Sequence, residues 1–192
     1  MNTVDTPVVH PLTESERESI RDWLAGSLNR PQVAADQWEK GGIAALALGR
    51  RFSAVRLTEP LVYAITGSRM SVHVTRALAS ALRGPVLHAP SIQRFYAFTP
   101  PAAPTWEHSP YAEYLGRDNY LGVPPIELTD PEDGLEGYWA VPVTRPGDLC
   151  DPTRLAALIV AGSLELKGPS REGVGLRRVR ARRPDRAHHA RP

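Results

Sequence analysis

The stretch that most constrains this chain is residues 111–126, YAEYLGRDNYLGVPPI. Gly116, Arg117, Asp118 and Asn119 make a charged turn, which leads into the short apolar run Tyr120, Leu121, Gly122 and Val123. The run stops at Pro124 and Pro125. Proline fixes φ and has no N–H to give to a ladder, so two in succession end a strand. The segment therefore predicts a hairpin whose second strand is cut short, and the rest of the fold must supply a sheet around it.

Upstream, Thr13-Glu14-Ser15-Glu16 has the form of a capping box, and Ile20, Trp23 and Leu24 fall on one helical face. Asn29 and Arg30 break this helix, and Pro31 suits the start of a short second one that ends at Gly41 and Gly42. Residues 43–48 and 52–57 read as strands joined by the turn Gly49-Arg50-Arg51. Residues 59–82 read as helix, with Met70, Val74, Ala77, Leu78 and Ala81 as its apolar stripe. Strands are predicted at 85–88, 93–99 and 138–143, with a proline-rich loop at 100–110 and an acidic loop at 130–134. Asp151 and Pro152 open a last helix carrying Leu155, Leu158, Ile159, Gly162 and Leu166 on one side. The fold class is therefore α+β, with a mixed or antiparallel sheet flanked by helices.

At 192 residues and 42% hydrophobic content, the chain has enough material for one domain with a substantial core. The expected organisation is a flexible arm at 1–12, a folded domain at 13–166 and a disordered basic tail at 167–192. The net charge of +2 hides an asymmetry. From Lys167 onward nine basic side chains face two acids, whereas residues 1–166 hold 14 basic and 19 acidic side chains. The body is mildly acidic, so nucleic-acid binding is expected mainly through the tail, at Arg177, Arg178, Arg180, Arg182 and Arg183. No apolar run is long enough to span a membrane, and the first residues have no secretory pattern. The lone Cys150 cannot form an internal disulfide, which fits a cytoplasmic protein. The six histidines show no metal-ligand spacing, and neither Cys150 nor the serines sit in a nucleophile motif.

The order of elements, together with GRDNYLGVPP, the strand-turn-strand IAALALGRRFSAVRL preceded by Trp38, and QRFYAF, resembles the amino-terminal domain of bifunctional DNA primase/polymerases. The resemblance is to the Prim-Pol fold, which is RRM-related, in the divergent form common in high-GC actinobacteria and their mobile elements. It spans about residues 14–165 and implies a nucleotidyl-transfer ancestry. Active members carry two Asp at i and i+2 on a strand, where period-2 alternation turns both carboxylates to one face to hold divalent metal. The matching positions here are Arg56 and Thr58, and a guanidinium repels a metal ion. The phosphate-contacting His of the second motif is matched by Phe95, and the last acid by Glu113.

The resemblance therefore implies a catalytically degenerate primase/polymerase-like domain with no cofactor, linked to replication or a mobile element and serving to bind nucleic acid or a protein. Arg56, Arg94 and Arg117 are the candidate phosphate contacts on the fold itself. Solvated arginines lying over the sheet are the simpler reading of the same residues. Tyr96, Phe98, Tyr120, Tyr138 and Trp139 are candidates to stack bases or, more simply, core residues. Two alternatives stand. One is an active divergent primase/polymerase using Mg²⁺ on Glu107, Glu113 or Glu127; the other is a module that only binds protein.

Overall fold

The computed structural model describes residues 11–102, 109–131 and 136–168. Nearly all of the expected amino-terminal arm, the Arg-rich tail, Glu107, His108 and most of the acidic loop lie outside these residues. The chain is α+β, with five helices and two antiparallel sheets among the described residues. The elements run α1 (Glu14–Ala25), α2 (Gln32–Gly41), β1 (Ala44–Ala47), β2 (Ser53–Thr58), α3 (Glu59–Thr66), α4 (Ser71–Leu82) and β3 (Val86–Ala89). A 3₁₀ turn at Pro90–Ile92 follows, then β4 (Arg94–Thr99), β5 (Ala112–Leu115), β6 (Tyr120–Val123), β7 (Tyr138–Val141) and α5 (Pro152–Lys167).

The larger sheet has the order β5-β2-β4-β3-β7, and strand alternation divides its side chains between two cores. On one face Val55, Leu57, Phe95, Ala97 and Tyr138 pack against Leu61, Leu78, Leu155 and Ile159 of α3, α4 and α5. On the other, Ala54, Leu87, Phe98 and Trp139 pack against Ile20 and Leu24 of α1 and against the two-stranded β1–β6 sheet. Fully burying the Val, Leu, Ile and Phe side chains among these contributes about 1.5–3 kcal/mol each. At Gly162 the absence of a side chain lets α5 approach α3, since a Cβ there would stand 2.7 Å from Ile65 Cδ1.

Local signals translate directly. The Thr13–Glu16 capping box is present, with Thr13 N donating to Glu16 Oε2 at 2.7 Å. Asp151 caps α5 by accepting from the N–H groups of Thr153 and Arg154 at 2.8 and 3.0 Å. The expected single helix over 59–82 is instead two helices. Gly67, at φ +62, ends α3, and Met70 becomes the N-cap of α4 with 61% of its surface exposed rather than part of the stripe. The buried face of α4 is Val74, Leu78 and Leu82.

The expected hairpin at residues 111–123 is corrected. β5 and β6 do not pair with each other: β5 joins β2 in the large sheet, and β6 joins β1 in the small one. The pair β1 and β2 divides between the sheets in the same way, so neither turn is a hairpin loop. The two segments instead run as one antiparallel ribbon, bent at the corners 48–52 and 116–119, with Leu48 N donating to Asn119 O across the bend at 2.9 Å. Gly49 makes the corner possible. Its φ is +84, and a Cβ there would lie 2.4 Å from Arg117 N.

Candidate functional site

β2 is flanked by β5 and β4, and the register sets Arg56 between Glu113 and Tyr96 and Thr58 beside Arg94. These five residues fall on the sheet face that α1 and the small sheet cover elsewhere. Ala54 and Phe98 of the same face are fully buried, whereas the Arg56 and Glu113 side chains are 43% and 53% exposed. Among the described residues the cover therefore stops at Arg56. Beyond it Arg56, Thr58, Arg94 and Glu113 line a hollow of about 320 Å³ closed by the loop 109–111. Thr58 N donates to Tyr111 O at 3.0 Å and ties that loop to the end of β2.

The charges in this hollow are partly spent on each other. An Arg56 Nη2 hydrogen bond to Glu113 Oε2 makes an exposed ion pair, of a kind worth about 0–1 kcal/mol. Arg94 Nη1 donates to the Gln93 carbonyl at 2.9 Å and has no acid partner among the described residues. Burial pushes the phenol of neighbouring Tyr96 up, and the positive charges of Arg56 and Arg94 oppose that shift. The hollow thus presents two cations and one anion, with a phenol ring beside Arg56 in the register.

Not every expected site residue arrives here. Phe95 follows Arg94 on a strand, so it points to the opposite face, where it is buried and stacks on His88 at 3.9 Å between ring centres. Arg117 sits at the bend of the ribbon, in a separate hollow with Arg50. Glu127 pairs with Arg21 of α1, away from Glu113, so the two described acids of the enzyme alternative do not meet. Among the described residues no three His, Cys, Asp or Glu side chains gather as a metal site. Tyr96, Phe98, Tyr138 and Trp139 are core, whereas Tyr120 is 67% exposed. Burial pushes the Cys150 thiol up to about 12, with the Asp148 charge adding to the shift, which disfavours the thiolate.

Behind the same sheet lies a polar cluster that sequence reasoning missed. His88 Nε2 stands 2.7 Å from Glu59 Oε1, and His88 Nδ1 stands 3.0 Å from the Tyr138 hydroxyl. Desolvation lowers the His88 pKa despite the opposing pull of Glu59, which favours the neutral ring. Since a carboxylate oxygen accepts, the matching tautomer donates from Nε2 to Glu59 and accepts from Tyr138 at Nδ1. Burial, reinforced by Glu59, pushes the Tyr63 phenol up to about 12. The partners of His88 are 29 and 50 positions away, so no local spacing could reveal the cluster. Every polar atom of the His88 ring is spoken for, which makes the cluster a brace between α3, β3 and β7.

Fold and site together define an α+β domain with a cationic hollow on a strip of antiparallel sheet that no described element covers. No protein-family model, curated protein or solved structure matches the chain.

Proposed function

We propose that the chain is a catalytically degenerate, Prim-Pol-like accessory domain that binds nucleic acid through the uncovered strip of its large sheet. The observation that carries this reading is the register of β5-β2-β4, which gathers Arg56 and Arg94 with Glu113 on one accessible face. Guanidinium forks suit phosphate oxygens, and an open sheet lets an extended strand lie across it. The Arg56–Glu113 pair occupies the position where the resemblance would put a metal centre, and a cation held there opposes metal binding. The lone buried Cys150 is in keeping with a cytoplasmic setting.

Fluorescence anisotropy of a labelled single-stranded oligonucleotide with the full chain tests the reading. Replacing Arg56 and Arg94 by Ala should weaken binding roughly tenfold or more, from the loss of two charge-assisted contacts. Unchanged affinity would remove the sheet face from the account and leave the tail as the expected contact. The enzyme reading draws on Glu113, whose carboxylate also faces the hollow. Its signature is Mg²⁺-dependent extension of a primed template.

A further inference from the structure

The corner where the ribbon bends from one sheet to the other has a second hollow, of about 410 Å³, remote from the chemistry assigned above. Its walls come from three segments: the turn after α1 with Ser27 and Asn29, the corner with Arg50, and the facing corner with Arg117, Asn119 and Tyr120. The close approach of Gly49 to the Arg117 backbone brings the two arginine-bearing corners together. Arg50 Nη1 donates to Asn29 Oδ1, which fixes that guanidinium at the rim. Neither Arg50 nor Arg117 forms an ion pair among the described residues, and the one carboxylate in the hollow belongs to Asp118.

Ser27 supplies the independent observation. It is fully buried, lies in the wall of this hollow, and its hydroxyl has no hydrogen-bond partner among the described residues. A buried hydroxyl left unpaired loses its hydration without compensation, so such groups in a native fold call for a partner. The end of α1 is nearby, and a helix C-terminus carries about half a negative charge. Two features offset it. The N–H groups of Gly26, Ser27 and Leu28 donate to the carbonyls of Asp22, Leu24 and Ala25, and the Arg51 guanidinium lies over Gly26, whose Cβ, if present, would be 2.6 Å from Arg51 Nε. The exposed Tyr120 ring offers a flat apolar surface in the same hollow as Arg50 and Arg117.

We infer that this corner is a binding site for the phosphate monoester of a nucleotide, held by Arg50, Arg117 and the Ser27 hydroxyl, with Tyr120 stacking on the base. Two cations without acid partners among the described residues, a hydroxyl donor and one aromatic face suit such a ligand. A free mononucleotide and the 5′-phosphorylated end of a strand share this chemistry. The site is separate from the Arg56–Arg94 strip and does not depend on the reading of that strip.

Isothermal titration of the full chain with a nucleoside 5′-monophosphate, the parent nucleoside and inorganic phosphate tests the inference. The monophosphate should bind and the nucleoside should not. Arg50→Ala and Arg117→Ala should each weaken binding roughly tenfold or more. Tyr120→Ala should weaken the monophosphate and leave inorganic phosphate unchanged. Ser27→Ala should also lower nucleotide affinity while leaving the urea midpoint unchanged or higher, because it removes an unpaired group. The Arg56→Ala/Arg94→Ala chain should bind the monophosphate normally. A phosphorylated oligonucleotide that binds better than the mononucleotide identifies a strand end as the ligand; the reverse identifies a free nucleotide. Equal binding of nucleoside and monophosphate, full affinity in Arg117→Ala, or a Ser27→Ala chain that loses stability overturns the inference.

Discussion

The His88 ring is enclosed by the Glu59 carboxylate from α3, the Tyr138 phenol from β7 and the face of Phe95 from β4, with Tyr63 beyond Phe95. Desolvation holds its folded pKa below the ordinary value of 6.5. As pH falls through that value, the unfolded chain takes up the proton first, so stability rises with pH in this window. Urea unfolding between about pH 7.5 and about pH 5.5 should show a midpoint that falls on acidification, and His88→Gln should flatten that dependence. Parallel slopes for the two chains would contradict the assignment. Period-2 alternation makes the fate of Phe95 readable from its own strand: with Arg94 and Tyr96 on the open face, Phe95 had to point into the core. The motif match that put Phe95 at the site ignored that local constraint.

At the scale of elements, what was legible was what depends on neighbours in sequence. The Thr13 cap, the Asp151-Pro152 start and the Pro124-Pro125 stop all act within a few residues, and all three stand where the sequence puts them. Thr13→Ala should lower stability by about 1 kcal/mol in denaturant unfolding, from loss of the capping hydrogen bonds. The partners of the strands were not legible. A four-residue turn between two apolar runs predicts a hairpin, but the bend at 116–119 is set by the close approach of Gly49 to the Arg117 backbone, 68 positions along the chain. No window of local sequence contains both residues, which is why the corner reads as a hairpin turn. Gly49→Ala would add a Cβ 2.4 Å from Arg117 N at a φ of +84, and should cost about 3 kcal/mol from backbone strain and overpacking together. A loss below about 1 kcal/mol in the same unfolding assay would show that the corner can relax, contrary to this account.

For the molecule as a whole, the decisive feature is incomplete cover. Among the described residues α3, α4 and α5 close one face of the large sheet, while α1 and the small sheet close only part of the other. The α+β class followed from the order of periodic segments, but the uncovered strip did not, because it depends on how far a separate two-stranded sheet reaches. Local charge matters here because residues 1–166 are acidic overall. Binding at the strip should therefore be salt-sensitive through few contacts. Neutralising two phosphates on a single strand contributes a slope of about −1.4 to log K against log salt, so the Arg56→Ala/Arg94→Ala chain should show a slope shallower by about that amount. An unaltered slope would assign the affinity to other cations.

The proposed function makes the Arg56–Glu113 pair part of a phosphate contact rather than of a metal centre, and Glu113→Gln tests this most directly. Affinity for a single-stranded oligonucleotide and Mg²⁺-dependent extension of a primed template would be measured side by side for the full chain and this variant. Removing the carboxylate frees Arg56, so the variant should bind the strand more tightly, and neither chain should extend the primer. Extension by the unmodified chain that Glu113→Gln abolishes would contradict the account.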